Sequence, residues 1–385
     1  MTSRLETAGA QGILGLFTEL VAPGGVQEAN RHSAASLVQC ARRRGWNARF
    51  LGLNEPSGEH ALSFDDTEIS FRGFQRSKGA FTLVAIRGAQ ELVRGGGCIV
   101  LAGHPNLAPV AAAVKLLSAR TKTIVVAHGV EVWERLPVLR RRALASADRV
   151  VAPSCYTVGM LAAVQGVPPE RIQRLPWPLG LDFLRLADQP TEHPLPPDFP
   201  SGQVVLTVGR WAAAERYKGV DQLIHATATL REEFPDLHLV AVGSGDDLPR
   251  LREIATNIGV ADRVHFLERL SREQIASCYA RADIFALPST GEGFGLVFLE
   301  AMAFGKPLVG AAAGGSTDLI ADGVNGLLVP PKEVAQLTQA LGRLLRNRAL
   351  RDEMGRRGAA IVREKYRVNV FQQQLEDILA ELARV

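Results

Sequence analysis

Short, predominantly apolar runs recur along this chain, and many of them end in Gly or Ser. They are "CIVLAG" (98–103), "TIVVAHG" (123–129), "RVVAPS" (149–154), "VVLTVG" (204–209), "LHLVAVG" (237–243), "RVHFLE" (263–268), "DIFALPS" (283–289) and "KPLVGAAAGG" (306–315). Longer stretches with helical spacing separate them. Strands that are apolar throughout, rather than alternating, suit a parallel sheet covered by helices on both faces. The Gly and Ser endings then mark the carboxyl ends of strands, where α/β sheets bind ligands. The early "ILGLF" reads as a first strand of the same kind and is too short to cross a bilayer.

A chain of 385 residues exceeds what one core covers, so two α/β domains are expected. The proline-rich stretch "LPWPLGLDFLRLADQPTEHPLPPDFPSG" (175–202) divides the two series of strands. The expected boundaries are an amino-terminal domain over 1–182, a linker over 183–202 and a carboxyl-terminal domain over 203–368. The last stretch, 369–385, has Phe371, Leu375, Ile378 and Leu382 at helical spacing and needs a surface to dock on. No repeat of solenoid length is visible.

Composition, 46% hydrophobic and 22% charged, is that of a soluble globular protein. No targeting or membrane-spanning segment stands out, which points to a cytoplasmic protein. Cys40, Cys98, Cys155 and Cys278 are far apart and lack metal-ligand spacing, so they read as reduced core thiols. Charge is uneven: residues 1–190 hold 22 Lys and Arg against 15 Asp and Glu, the remainder 22 against 25. The excess is densest at Arg42–Arg44 and in "RLPVLRRRALASADR", where Leu136, Leu139 and Leu144 predict an amphipathic helix with a basic face. Such a face suits a membrane surface or an anionic acceptor, or is simply solvated. Nucleic acid is disfavoured, because aromatics do not interleave with the basic residues.

In "STGEGFGLVFLEAMAFGKPLVG" (289–310), Glu292 and Glu300 lie eight positions apart around a Gly-Phe-Gly turn. A strand ends, a loop carries Glu292, Gly293, Phe294 and Gly295, and a helix is predicted from Leu296. The glycines and the unpaired donors of a helix N-terminus suit a phosphate. Glu300, among apolar neighbours, needs donors such as the two hydroxyls of a ribose. In "VLTVGRWAAAERYKGVDQLIHATATL" (205–230), Arg210 and Lys218 flank a strand-to-helix loop and together could neutralise a pyrophosphate. Read singly, each glutamate could serve only its helix, and each cation, Arg216 included, could be a solvated loop charge.

These segments, with "AAGGSTDLIADGVNGLLVPP", closely resemble the carboxyl-terminal half of family 4 of the retaining glycosyltransferases. The family's E-x7-E element falls on Glu292 and Glu300, and its Arg/Lys pair on Arg210 and Lys218. The resemblance implies the α/β GT-B fold, with two Rossmann-like domains facing across a cleft and the last helix crossing back to the first domain. In the amino-terminal half, "APGGVQEANRHSAASLVQCARRRG" looks like the family's glycine loop, with Gly24 and Gly25 near the donor phosphates. "VVAHGVEVWERL" resembles the segment carrying the family's active-site histidine, here His128, and "ADRVVAPSCYTVGML" brings Ser154 towards the cleft. His104 and Asn106 are placed at the acceptor, and backbone near Arg269 and Leu270 at the base. The chain departs from the family where Trp177-Pro178-Leu179-Gly180-Leu181-Asp182 stands in place of the common Asn-Gly-Val-Asp, and its Arg210–Lys218 loop is roomy.

The resemblance implies transfer of a hexose from a nucleotide-diphosphate sugar, GDP-mannose or UDP-glucose in type, to a hydroxyl of a glycan or lipid-linked acceptor. It implies retention, no cofactor and no metal; Asp246 and Asp247 of "GDD" read as loop or helix-start residues. His128, Arg210, Lys218 and Glu292 are the catalytic candidates. Gly24, Gly25, Arg269, Leu270, Gly293–Leu296 and Glu300 are the donor-binding candidates. Peripheral contact with the inner membrane face fits the basic first half. A nucleotide-sugar epimerase, a phosphorylase or a non-catalytic binding partner are the alternatives, and no G-x-G-x-x-G follows the first strand to support a dehydrogenase.

Overall fold

The computed structural model describes residues 11–189 and 194–384. They fall into two compact units, one running to Pro178 and resuming at Val368, the other Leu179–Arg367.

The first unit is built from β1 (Gln11–Phe17), α1 (Gly25–Arg44), β2 (Asn47–Gly52), β3 (Gly58–Phe64), β4 (Thr67–Gly73), α2 (Lys78–Arg94) and β5 (Gly97–Ala102). It continues through α3 (Ala108–Leu116), β6 (Thr121–Val126), α4 (Val138–Ala145), β7 (Arg149–Ala152), α5 (Cys155–Ala163) and β8 (Ile172–Arg174). Its sheet has the order β3-β4-β2-β1-β5-β6-β7-β8. Every pairing is parallel except β3 with β4. β5 is buried at every residue, as expected of a strand covered on both faces, whereas β4 alternates buried and exposed positions. The β3–β4 hairpin turns on Asp65 and Asp66, both at positive φ, a geometry that short acidic side chains tolerate. The apolar runs did not predict this hairpin, because its pattern is that of a half-solvated antiparallel pair.

The second unit comprises α6 (Leu181–Asp188), β9 (Gln203–Val208), α7 (Val220–Leu230), β10 (Leu237–Val242), α8 (Leu248–Asn257), β11 (Val264–Leu267) and α9 (Arg272–Arg281). Then follow β12 (Ile284–Leu287), α10 (Leu296–Ala303), β13 (Leu308–Ala311), α11 (Ser316–Leu319), β14 (Gly326–Val329), α12 (Val334–Arg346) and α13 (Arg348–Lys365). The sheet is parallel throughout, in the order β11-β10-β9-β12-β13-β14. Strand order therefore reverses between β9 and β12, the position where doubly wound sheets open a crevice.

Three sequence expectations change. Part of the stretch 183–202 is helical rather than linker: α6 packs on α9 and α10 because Phe183 is buried against Tyr279, with Asp182 paired to Arg272 at 3.0 Å. Residues 190–193 of that stretch lie outside the described residues. The helix α4 buries Leu144 but turns Val138 and Leu139 outward, 56% and 72% exposed, so the apolar face expected from Leu136, Leu139 and Leu144 does not form. Cys40, Cys98 and Cys278 are buried thiols, the last two pushed up to about 12 by burial, but Cys155 is exposed at the start of α5 and is not core.

The chain closes with α14 (Val368–Ala383), which belongs to the first unit. Phe371, Leu375, Ile378 and Leu382 are all buried, and the helix contacts α1 and β5. Arg43 binds Glu376 at 2.6 Å and Arg149 binds Glu381 at 3.0 Å, while the Phe371 ring lies 5.7 Å from Trp177. The ion pairs are largely solvated, so the apolar stripe carries the docking. Phe371→Ala is expected to destabilise the first unit by about 3–5 kcal/mol. Denaturant unfolding followed by hydrogen exchange in α1 checks this, and wild-type protection would contradict it.

Candidate functional site

The loops that leave β9 and β12 emerge side by side because those strands pair, Val205 with Ile284 and Leu206 with Phe285. The β9 loop is anchored by Trp211, 3% exposed, whose backbone N–H donates to the Ser244 carbonyl at 3.0 Å. The Thr290 N–H donates to the Tyr217 carbonyl at 2.9 Å, tying the two loops together. Gly291 is required at this contact, since a Cβ there would lie 2.6 Å from the Tyr217 ring. Farther along, a Cβ on Gly315 would lie 2.4 Å from the Gly293 carbonyl oxygen, and the Gly315 N–H donates to the Glu292 carbonyl at 2.6 Å. The loop bearing Glu292 is thus held on one side by a ring contact and on the other by a backbone contact, each too close for a residue larger than glycine.

This arrangement brings Arg210, Lys218 and Glu292 into one electrostatic cluster. Lys218 Nζ donates to the Arg210 carbonyl at 3.1 Å and lies 3.0 Å from a Glu215 carboxylate oxygen. Arg210 donates to the other oxygen of the same carboxylate. Burial lowers the Lys218 pKa, an effect opposed by Glu292 and reinforced by Arg210. Burial raises that of Glu292, and Lys218 opposes the rise. Glu215 is the group that sequence reading missed: it lies three residues before Lys218, and its carboxylate balances both cations at once.

The Glu292 loop leads into α10 through Gly295, at φ 96°, and no side chain caps the helix among the described residues. Gly293 and Leu296 are half-buried, while Phe294 is buried against Tyr366, ring centroids 6.0 Å apart, so its side chain anchors the loop. Glu300 sits on the less buried face of α10 with Leu296 and Val297, and its Oε2 accepts a hydrogen bond of 2.7 Å from Tyr279 Oη. Arg269 and Leu270 form the turn after β11, at the same edge of the sheet, with Arg269 exposed and at φ 55°. Asp246 accepts from the Ala213 N–H at 2.7 Å, and Asp247 starts α8 with its carboxylate bonded to Arg216 and Arg250. Arg216, its side chain 55% exposed, is thus a surface charge paired with Asp247. Among the described residues no three His, Cys, Asp or Glu side chains gather as metal ligands.

In the first unit the remaining candidates also lie at the carboxyl edge of the sheet. Gly24, at φ 140°, precedes α1, and Gly25 opens it with free space where a Cβ would sit. Glu55 fixes the loop before them by accepting from the Leu20 and Val21 N–H groups at 2.6 and 2.9 Å. His128 follows β6, and its Nε2 lies 2.8 Å from the Gly103 carbonyl. A carbonyl only accepts, so Nε2 carries the proton and Nδ1 is a lone-pair acceptor with no hydrogen-bond partner among the described residues. Burial lowers the His128 pKa to about 4, leaving the ring neutral near pH 7. His104 accepts from the Asn106 N–H through Nδ1 at 3.1 Å, which puts its own proton on Nε2; burial, His128 and Arg140 lower it to about 4. The Asn106 side chain is exposed.

His128 is stacked between His104, at 5.8 Å, and Trp177, at 5.5 Å. The residue that departs from the family pattern thus backs the histidine, a role that position 177 did not reveal in sequence. Ser154 is buried and caps α5, accepting from the Thr157 N–H at 3.2 Å, so its hydroxyl serves the helix.

Residues 31–182 match the family described as Glycosyltransferase Family 4, and residues 192–360 match Glycosyl transferases group 1. The chain is similar to the GDP-mannose-dependent alpha-(1-6)-phosphatidylinositol monomannoside mannosyltransferase of Mycolicibacterium smegmatis, 36% identical over 232 residues. That match covers 57% of this chain and spans only 59% of the relative's length. The enzyme of the same name from Mycobacterium tuberculosis is 31% identical over 274 residues, covering 68% of this chain and 70% of the relative. Among solved structures, sucrose-phosphate synthase from Thermosynechococcus elongatus matches with a TM-score of 0.76 at 20% identity, covering 97% of this chain and 99% of that one. The chain belongs to family 4 of the glycosyltransferases and has the GT-B fold.

Proposed function

We propose that the chain transfers a hexose from a nucleoside diphosphate sugar to a hydroxyl of a glycan or lipid-linked acceptor, with retention at the anomeric carbon and with no metal ion. The observation that carries this reading is the pair of cations, Arg210 and Lys218, held on one carboxylate beside Glu292 where strand order reverses. In the proposed step the bond from the anomeric carbon to the β-phosphate oxygen breaks, and the acceptor oxygen bonds the same face of that carbon. The electron pair stays on the departing diphosphate, which takes the acceptor's proton. Negative charge grows on the diphosphate, and the two cations, passed to it from Glu215 when the donor binds, stabilise that charge without further reorganisation.

Glu215 holds the place that the diphosphate takes: its carboxylate is displaced as the phosphate oxygens bind Lys218 and Arg210. Glu292 accepts from hydroxyls of the hexose, Glu300 from those of the ribose, and backbone at Arg269 and Leu270 borders the base. His128, neutral and with its proton tied to Gly103, accepts a hydroxyl hydrogen rather than supplying charge. His104 and Asn106 contribute to acceptor binding. The two mycobacterial relatives are named for GDP-mannose and a phosphatidylinositol acceptor, which favours a GDP-mannose donor over UDP-glucose and a lipid-linked acceptor. Val138 and Leu139, exposed beside exposed Arg140 and Arg142, form an apolar edge with basic flanks that suits peripheral contact with an anionic membrane face.

Lys218→Ala and Glu292→Ala are expected to lower turnover of the sugar donor by about 10²–10³-fold while leaving the melting temperature within a few degrees. Wild-type turnover in both would remove the reading, and calorimetry with GDP and UDP identifies the base. Glu215→Gln is expected to tighten nucleoside diphosphate binding while leaving the bare nucleoside unaffected; weaker diphosphate binding would show that the carboxylate is not displaced. Leu139→Glu should abolish sedimentation with vesicles containing anionic lipid, and equal sedimentation of the wild type and the variant would count against the membrane contact.

A further inference from the structure

A carboxylate recognises two neighbouring hydroxyls only if its plane is fixed, and α10 by itself does not fix the plane of Glu300. One side of α10 is locked, with Phe298, Leu299, Ala301 and Met302 buried, whereas Glu300 is on the half-buried side, where the helix backbone does not set its side-chain torsions. A neighbour that restrains it is Tyr279 on α9. Tyr279 is 0% exposed, and its ring is wedged among Phe304 at 5.7 Å, Phe285 at 5.8 Å and Phe183 at 6.4 Å. A ring packed on three sides holds its hydroxyl at one point, and that hydroxyl donates to Glu300 Oε2 at 2.7 Å.

The chemistry of the pair is one-directional. Burial, together with the Glu300 charge, holds the Tyr279 pKa well above the ordinary tyrosine value, so the phenol stays a donor. A carboxylate has about four acceptor directions, of which the phenol takes one. A tyrosine hydroxyl in an otherwise apolar site needs a partner, and here the Glu300 carboxylate, at 2.7 Å, is nearer than the Val297 carbonyl, at 3.4 Å. The ring alone would fill the aromatic cluster equally well as phenylalanine, so the hydroxyl has its use in Glu300.

We propose that Tyr279 is a positioning residue for ribose recognition, its buried hydroxyl holding the Glu300 carboxylate in the orientation that accepts from the two ribose hydroxyls of the nucleoside diphosphate. The inference rests on the reading of Glu300 given above and adds to it the group that sets its geometry. Tyr279 does not touch the ligand.

The test is calorimetry with whichever of GDP and UDP the wild-type chain binds more tightly, and with the 2′,3′-dideoxy form of the same nucleotide. Tyr279→Phe preserves the ring and removes only the donor. It is expected to weaken the ribonucleotide about tenfold and to leave the dideoxy form unchanged, raising the donor KM with kcat nearly constant. A merely structural tyrosine would weaken both ligands alike, and that result overturns the proposal. Glu300→Gln separates the two levels. If it abolishes discrimination between the two sugars while Tyr279→Phe retains it, the positioning role falls and the reading of Glu300 stands. If Glu300→Gln retains discrimination, both fall. Should Tyr279→Phe fold poorly, Glu300→Asp, which keeps the charge but draws the carboxylate back from the Tyr279 hydroxyl, gives the comparison with the tyrosine in place: the proposal requires it to lose discrimination between the two sugars, and retained discrimination overturns it.

Discussion

The parallel pairing of β9 with β12 is the constraint on which the second unit's chemistry depends. Neighbouring strands in sequence diverge here, one series running through β10 to β11 and the other through β13 to β14. The two loops at the reversal are not crowded by a shared crossover helix, so they stand beside each other with their backbones in contact. Arg210 and Lys218 arrive from one loop and Glu292 from the other, though more than seventy residues separate them in the chain. Without that pairing each would be an ordinary loop charge.

Charge in this cluster is balanced before any ligand is present. Two cations near an apolar anchor such as Trp211 repel each other, and Lys218 is buried enough to lower its pKa. Glu215 offsets that repulsion by bonding both, and Glu292 adds a second negative charge nearby. The result is a cluster in which a carboxylate already occupies both cations. The first unit follows a different principle: His104, His128 and Trp177 form a stack in which backbone partners fix both imidazole tautomers, so the edge offers neutral donors and acceptors rather than charge.

Much of this was legible in residue order. The apolar runs located β1, β5, β6, β7 and β9 to β13 because a strand buried on both faces leaves no polar alternation to confuse the pattern. The strands β2, β3, β4, β8 and β14 escaped notice: β2, β3, β4 and β8 are partly solvated, β3 and β4 pair antiparallel, and β8 and β14 are only three and four residues long. The helix α4 misled because Leu136, Leu139 and Leu144 have helical spacing, yet Pro137 starts the helix and leaves Leu139 outside. Glu292 and Glu300 were readable from their spacing around a glycine turn. Tyr279, twenty-one residues before Glu300, was not, since nothing local marks a phenol whose partner is on another helix.

Sequence by itself determined the class of fold, the family and the chemical types carried by the strand-end loops: glycine-rich turns after apolar strands, paired cations, paired carboxylates. Those follow from local rules, as burial on two faces dictates composition and tight turns dictate glycine. Tertiary structure alone decided which charge neutralises which, that Glu215 serves both cations, that Tyr279 orients Glu300, and that Trp177 and His104 enclose His128. Such pairings depend on directions and distances of a few ångströms between elements remote in the chain, and a hydrogen bond or ion pair exists only at those distances.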